Sequence, residues 1–190
     1  MKILILGIGG IGGFFGSYLH KSGADITFLV RPERKKIVSA HGLKVISSLG
    51  NLNIKPDLIL ANELEPIYDI ILLSCKTYDL DQAISDLKLT KGRGLIIPLL
   101  NGIEHLNDLD KKFGQENIAG GLAHISSTVN DDGTIEHFSD FKKITFGNRY
   151  QSQDERLKQF SNICKKTKFD TVISQNINLD WIRLEVFDYF

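Results

Sequence analysis

The sequence predicts an α/β fold: a doubly wound, mostly parallel sheet, with a short β extension and a C-terminal helix. Two observations carry that expectation. Four short apolar runs, at 3–6, 25–30, 68–75 and 94–100, alternate with segments of helical character. Runs of this length read as strands buried on both faces, as in parallel sheets covered by helices. The first run also meets glycine at once: Gly7, Gly9 and Gly12 stand at the spacing G-x-G-x-x-G, with Gly13 and Gly16 behind them. Strand, tight glycine turn and helix are the start of a dinucleotide-binding βαβ unit, so the sheet is read as Rossmann-type.

Each glycine has a physical task in that reading. Gly7 permits the sharp turn out of the strand, Gly9 lets the backbone approach a pyrophosphate, and Gly12 lets the helix lie close on the strand. The helix, expected over 10–20, offers unpaired N–H groups and a positive dipole end to phosphates. A glycine-rich turn that packs closely and binds nothing is the competing reading. The position of the motif, between the first strand and helix and ahead of a second strand, favours dinucleotide binding.

Composition narrows the class. The chain has 190 residues, 42% hydrophobic and 24% charged, which are globular values. Basic and acidic residues balance at 23 each, so nothing points to nucleic acid or an anionic membrane. No apolar stretch has the length of a membrane span, and Met1 leads straight into a strand without a signal-peptide pattern. Cys75 and Cys164 lie far apart and read as reduced thiols of a cytoplasmic protein. The five histidines lack metal-ligand spacing.

The second strand, 25–30, runs into Arg31-Pro32. An NAD-specific fold places an Asp or Glu here against the ribose hydroxyls. An arginine instead grips a 2′-phosphate, which argues for NADP(H). Arg34, Lys35 and Lys36 follow; Lys35 and Lys36 read as a solvated helix face. Pro32 opens a helix to about Ala40, with Gly42 to cap it. Residues 43–48 and 52–55 read as short strands around a turn at 49–51, and 59–64 is ambiguous. The strand at 68–75 ends in Lys76-Thr77, and a lysine there points into the crevice where parallel sheets bind ligands. An ordinary surface lysine is the alternative. Residues 79–87 form an amphipathic helix with Leu80, Ala83, Ile84 and Leu87 on one face. The strand at 94–100 is followed by Asn101-Gly102, a favoured turn pair that again stands at a strand's carboxyl end.

A helix at 103–113 follows, and from Asn117 the pattern changes. Residues 118–123, 124–129, 134–137 and 144–147 read as short strands with a hairpin turn at 130–133, extending the sheet beyond the nucleotide-binding core. A helix at 152–166, a short strand at 171–173 and a helical, apolar-rich segment at 176–190 complete the chain.

With these pieces in place, the chain resembles the ketopantoate reductase (2-dehydropantoate 2-reductase) family. The resemblance rests on KILILGIGGIGG, Arg31 after the second strand, SCKT with Lys76, LLNG with Asn101, GGLAHIS at 120–126, GTIEH at 133–137, FGN at 146–148 and Trp181-Ile182-Arg183-Leu184. It implies NADPH-dependent reduction of a small 2-keto acid, 2-dehydropantoate. It further implies that Gly7, Ile8, Gly9, Gly10, Ile11 and Gly12 hold the pyrophosphate and Arg31 the 2′-phosphate. Lys76 and Asn101 would lie beside cofactor and substrate, and Ser126 near the nicotinamide half. The catalytic set is then Lys76, Asn101 and Arg183.

Two departures stand out. The family motif near Trp181 reads Trp-x-Lys-Leu, its lysine donating the proton to the ketone, and the next turn offers an asparagine; this chain has Arg183 and Phe187. A guanidinium stays protonated, so it can polarise a carbonyl but hardly act as the acid. The family also continues into a helical C-terminal domain, whereas the sequence stops at Phe190. The chain is accordingly divided into a cofactor-binding domain, 1–175, and a terminal helix, 176–190, the stub of a substrate domain. A non-catalytic NADP(H)-binding or interaction module is the alternative function. Trp181, Leu184 and Phe187 share one helical face, and with Tyr189 and Phe190 they suggest a homodimer through this helix.

Overall fold

The structure, a computed structural model, describes residues 1–90, 93–150 and 154–187; the side chains of Leu89 and of residues 183–187 lie outside that description. In chain order the elements are β1 (Lys2–Leu6), α1 (Gly10–Lys21), β2 (Asp25–Leu29), α2 (Pro32–His41), β3 (Leu43–Ile46), β4 (Leu52–Ile54) and β5 (Asp57–Ile59). There follow β6 (Ile70–Leu73), α3 (Leu80–Asp86), β7 (Leu95–Pro98), α4 (His105–Phe113), β8 (Gly120–Val129), β9 (Ile135–Gly147), α5 (Glu155–Cys164), β10 (Asp170–Ile173) and α6 (Ile177–Phe187).

The first sheet has the order β5-β2-β1-β6-β7, every pair parallel. This is the doubly wound arrangement the alternating runs predict. Its strands are buried on both faces, so successive side chains feed two cores. Ile3, Ile5, Ile70 and Leu72 enter one, and Leu4, Ile71 and Leu73 the other.

The expected sheet extension is instead a second sheet. The long β9 pairs antiparallel with β8 along one edge, and parallel with β3 near its start and β10 near its end; β4 pairs antiparallel with β3. Residues 118–129, expected as two strands, contain one, and the two runs expected between 134 and 147 are joined in β9. Their apolar alternation is interrupted because the outer half of the hairpin is exposed, with Phe138 and Phe141 in water and a bulge between Ile125 and Ser127. The ambiguous 59–64 segment resolves as the end of β5 and a 3₁₀ turn at Ala61–Glu63. Of the helix expected at 152–166, residues 152 and 153 lie outside the described residues.

Between the two sheets lies α1. Its residues Gly12 to Leu19 are all buried, which a helix with one wet face would not allow. A Cβ on Gly16 would stand 2.5 Å from the Phe28 ring of the first sheet, and one on Gly13 would stand 2.0 Å from Ile135 Cδ1 of the second. The glycines beyond the motif are thus clearance for a helix packed on both sides.

The opposite face of the first sheet carries α3, α4 and α6, whose Leu80, Leu109, Ile177 and Trp181 share one core. The expected unpartnered face of the last helix fails at Trp181. Its ring is buried against Gly120, and its Nε1–H donates to the Gly121 carbonyl at 3.3 Å. The small residues of β8 leave room for the indole, so the helix folds back onto its own domain. The side chains of Leu184 and Phe187, and all of Tyr189 and Phe190, lie outside the described residues. No described helix is long and apolar enough to cross a membrane.

On α4, Asp110 accepts a two-pronged bond from Arg149 at 2.6 and 2.8 Å, tying the end of β9 to the helix. His105, one turn earlier, is buried with no hydrogen-bond partner for Nε2. Burial first, and the nearby Arg149 cation second, lower its pKa from 6.5 to about 4. The unfolded chain therefore takes up this proton first. The stabilisation is complete above about pH 6.5 and is lost as the pH falls towards 4. We expect His105→Leu to flatten the acid limb of stability over that interval, measured by urea midpoints at pH 7 and pH 4.5.

Candidate functional site

Register builds the site. The pairing puts Leu6, Leu29, Leu73 and Pro98 in one row across β2, β1, β6 and β7. The residues that follow each strand therefore emerge together at the carboxyl edge of the sheet. Ladder bonds continue past the row: Gly7 N–H donates to Leu29 O at 3.2 Å, Ser74 N–H to Leu6 O at 3.2 Å, and Leu99 N–H to Leu73 O at 2.8 Å. The loops thus leave from fixed points.

They enclose a cleft of about 650 Å³. Gly7, Ile8, Gly9, Gly10 and Ile11 form its floor, Arg31 stands at one end, and Lys76 and Asn101 lie along the other loops. All of these were singled out from the sequence. Gly7 sits at φ +99°, the turn that only glycine makes freely. A Cβ on Gly9 would meet nothing within 4 Å, so that backbone lies open to the cleft above the N-terminus of α1, which no side chain caps. Gly12 lies beneath the floor instead of lining it. A Cβ there would come within 2.1 Å of Ser74 Oγ and 2.4 Å of the Gly7 carbonyl, which is the close helix-to-strand packing expected.

Lys76 and Asn101 are both exposed, on the loops that follow β6 and β7, and Gly102 holds the turn at φ +73°. Arg31, also exposed, is ion-paired with Asp79, which raises its pKa. Lys35 pairs with Glu63 at 2.6 Å, in keeping with a surface role. Cys75 lines the cleft as a neutral thiol, its pKa pushed up to about 11 by burial and by Asp79. Arg183 lies on α6, and its side chain is outside the described residues.

Ser126 is placed differently from its neighbours. It falls at the bulge of β8, exposed, with its N–H donating to Ser139 Oγ at 3.1 Å, and it does not line the cleft. Ser127 does. Its hydroxyl is buried without a hydrogen-bond partner, and its carbonyl stands 2.6 Å from where a Cβ on Gly10 would be. Arg34 is a second residue that motif spacing does not single out. It lines the cleft beside Arg31, donates to the Gly133 carbonyl at 2.8 Å and keeps its Nε buried and unpartnered. The signal for both is tertiary: β8 carries Ser127 to the glycine turn, and the β8–β9 turn carries Gly133 to Arg34 on α2.

The floor of bare backbone, the uncapped helix end and the paired arginines fit a dinucleotide with a pyrophosphate. Comparison with known proteins agrees on the lineage. The family model described as ketopantoate reductase PanE/ApbA matches residues 3–151. The chain belongs to the ketopantoate reductase family.

Relatives of the chain include the uncharacterized oxidoreductase YkpB of Bacillus subtilis (strain 168), 35% identical over 181 residues, or 95% of this chain and 59% of that protein. The 2-dehydropantoate 2-reductase of Lactococcus lactis subsp. lactis (strain IL1403) is 28% identical over 94% of this chain and 58% of its own. The chain therefore spans about three-fifths of these relatives. Among solved structures, a D-mandelate dehydrogenase with NADH and anilino(oxo)acetate superposes with a TM-score of 0.86 at 25% identity, over 97% of this chain and 60% of that one. The 2-dehydropantoate 2-reductase from Methylococcus capsulatus superposes with a TM-score of 0.86 at 26% identity, over 99% and 61%.

The two motif glycines make separable predictions. Gly9→Ala meets no atom, so it should cost less than about 1 kcal/mol of stability yet weaken dinucleotide binding. Gly12→Ala must push Ser74 and the Gly7 carbonyl aside, and should cost about 1–3 kcal/mol. Thermal melts with and without NADPH check both.

Proposed function

We propose that the chain binds NADP(H) in the carboxyl-edge cleft and serves the reduction of a small 2-keto acid, with 2-dehydropantoate the first candidate. The observation that carries the reading is the convergence of the open Gly9 backbone, Arg31, Lys76 and Asn101 on one cleft in a ketopantoate reductase family chain. The nicotinamide coenzyme supplies the hydride when bound.

The residues divide the remaining work. The turn from Gly7 to Gly12 and the first N–H groups of α1 hold the pyrophosphate, and Arg31 holds the 2′-phosphate. Lys76, an ammonium at the cleft, and Asn101, which both donates and accepts, orient the keto acid. Arg183 takes the position of the family's proton-donating lysine and stabilises the developing alkoxide, while a water supplies the proton. Soluble reactants and free cysteines suit a cytoplasmic enzyme. A homodimer through α6 has less support than the sequence suggested, because Trp181 is already buried within the chain.

Arg183 also favours a second reading, a cofactor-binding module without turnover; a binding measurement tests the cofactor and a turnover assay separates the readings. NADPH should bind more tightly than NADH in a fluorescence titration, and Arg31→Ala should remove most of the difference, about 1–3 kcal/mol for a charge-assisted contact. Equal affinities in the unmutated protein would count against NADP(H). In the turnover assay, Arg183→Lys should raise 2-dehydropantoate-dependent NADPH oxidation by about 10²-fold or more, the usual worth of a general acid. Tight NADPH binding with no oxidation by either protein would favour the module.

A further inference from the structure

The acidic residue missing from the end of β2 has a counterpart across the cleft. Asp79 closes the 3₁₀ turn that follows β6, and β1 lies between β2 and β6. The Arg31–Asp79 ion pair therefore passes over the end of β1, from one side of the glycine turn to the other. Both residues line the cleft, as do Arg34 on the arginine side and Asp86 on the aspartate side. Two cations thus face two carboxylates here, with Lys76 at the start of the turn that Asp79 closes. Arg31 is the more exposed partner, at 66% against 28% for Asp79, so it is the one free to swing away.

We infer that Asp79 sets the cofactor selectivity of this chain: its carboxylate competes with the 2′-phosphate of NADPH for Arg31 and accepts hydrogen bonds from the ribose hydroxyls of NADH, so that both cofactors are used. The inference rests on the proposed nucleotide site and specifies its selectivity. The chemistry is asymmetric. A carboxylate is an acceptor only, so it suits a hydroxyl donor and repels a phosphate dianion. A guanidinium suits the phosphate, but here it must first leave Asp79. The loss on leaving is small because an exposed pair is well screened. The carboxylate left behind still faces the phosphate. Asp79 therefore narrows the preference for NADPH that Arg31 creates, without reversing it.

The test is a pair of titrations, NADH and NADPH, on the wild-type chain, Asp79→Asn and Asp79→Gln. The two neutral variants guard against one of them failing to fold, and a circular dichroism melt of each checks this. The expected result is an increase of about tenfold in the NADPH-to-NADH affinity ratio, from tighter NADPH and weaker NADH, in whichever variant folds. In an Arg31→Ala background the same substitutions should lose the part of the gain in NADPH affinity owed to competition for Arg31 and keep the part owed to removing the carboxylate's repulsion of the phosphate. An unchanged ratio in folded variants that bind both cofactors overturns the role of Asp79 and leaves the nucleotide site standing. A wild-type chain that binds neither cofactor overturns the site, and the selectivity argument with it.

Discussion

The arrangement depends on one helix being clamped from two sides. α1 must lie close enough to β1 for its first N–H groups to open on the sheet's carboxyl edge, and it must also form the floor on which the second sheet rests. Gly12 and Gly16 provide the clearance on the first side and Gly13 on the second. Phe14, Phe15, Tyr18 and Leu19 then fill the spaces left between them. Interiors are packed at crystal density, so a methyl at any of these three glycines has no room unless a neighbour moves. The glycine content of this stretch is therefore a packing requirement as much as a feature of the proposed phosphate site.

The second consequence of that clamp is chemical. By drawing β8 onto the N-terminus of α1 and the β8–β9 turn onto α2, the second sheet brings Ser127 to the cleft and Gly133 to Arg34, on a side that the first sheet alone would leave open. Ser127 presents a buried hydroxyl without a partner, and Gly133 anchors Arg34 next to Arg31. Unsatisfied buried polar groups are costly in a finished fold. Two such atoms, Ser127 Oγ and Arg34 Nε, belong to residues that line this cleft, where a ligand could satisfy them; others, Ser17 Oγ and His105 Nε2 among them, lie away from it.

Much of this was legible in the sequence, for a definite reason. Gly7, Arg31, Lys76 and Asn101 each stand just past a strand, and in a parallel sheet whose strands end in one row, such residues must meet. Local pattern and a single topological rule are enough to bring them together. What escaped is what depends on contacts between distant segments. The pairing of β9 with β3 and β10 leaves no local trace, so the second sheet read as an extension of the first. A bulge shifts β8 by one residue, and with it the cleft-facing hydroxyl from Ser126 to Ser127. Trp181 read as exposed because its cover, the small Gly120-Gly121 pair, lies some sixty residues earlier. The partner of Arg31 was invisible for the same reason: Asp79 follows a different strand.

The central claim is that a dinucleotide lies along the carboxyl edge of the first sheet, across the glycine turn. Hydrogen–deuterium exchange of the chain with and without saturating NADPH tests it directly. The account predicts slowed exchange in 7–12, 31–34, 74–79 and 100–102, with little change in α4 or α5. Binding that protects none of these four segments, or that protects only the second sheet or α6, would contradict it.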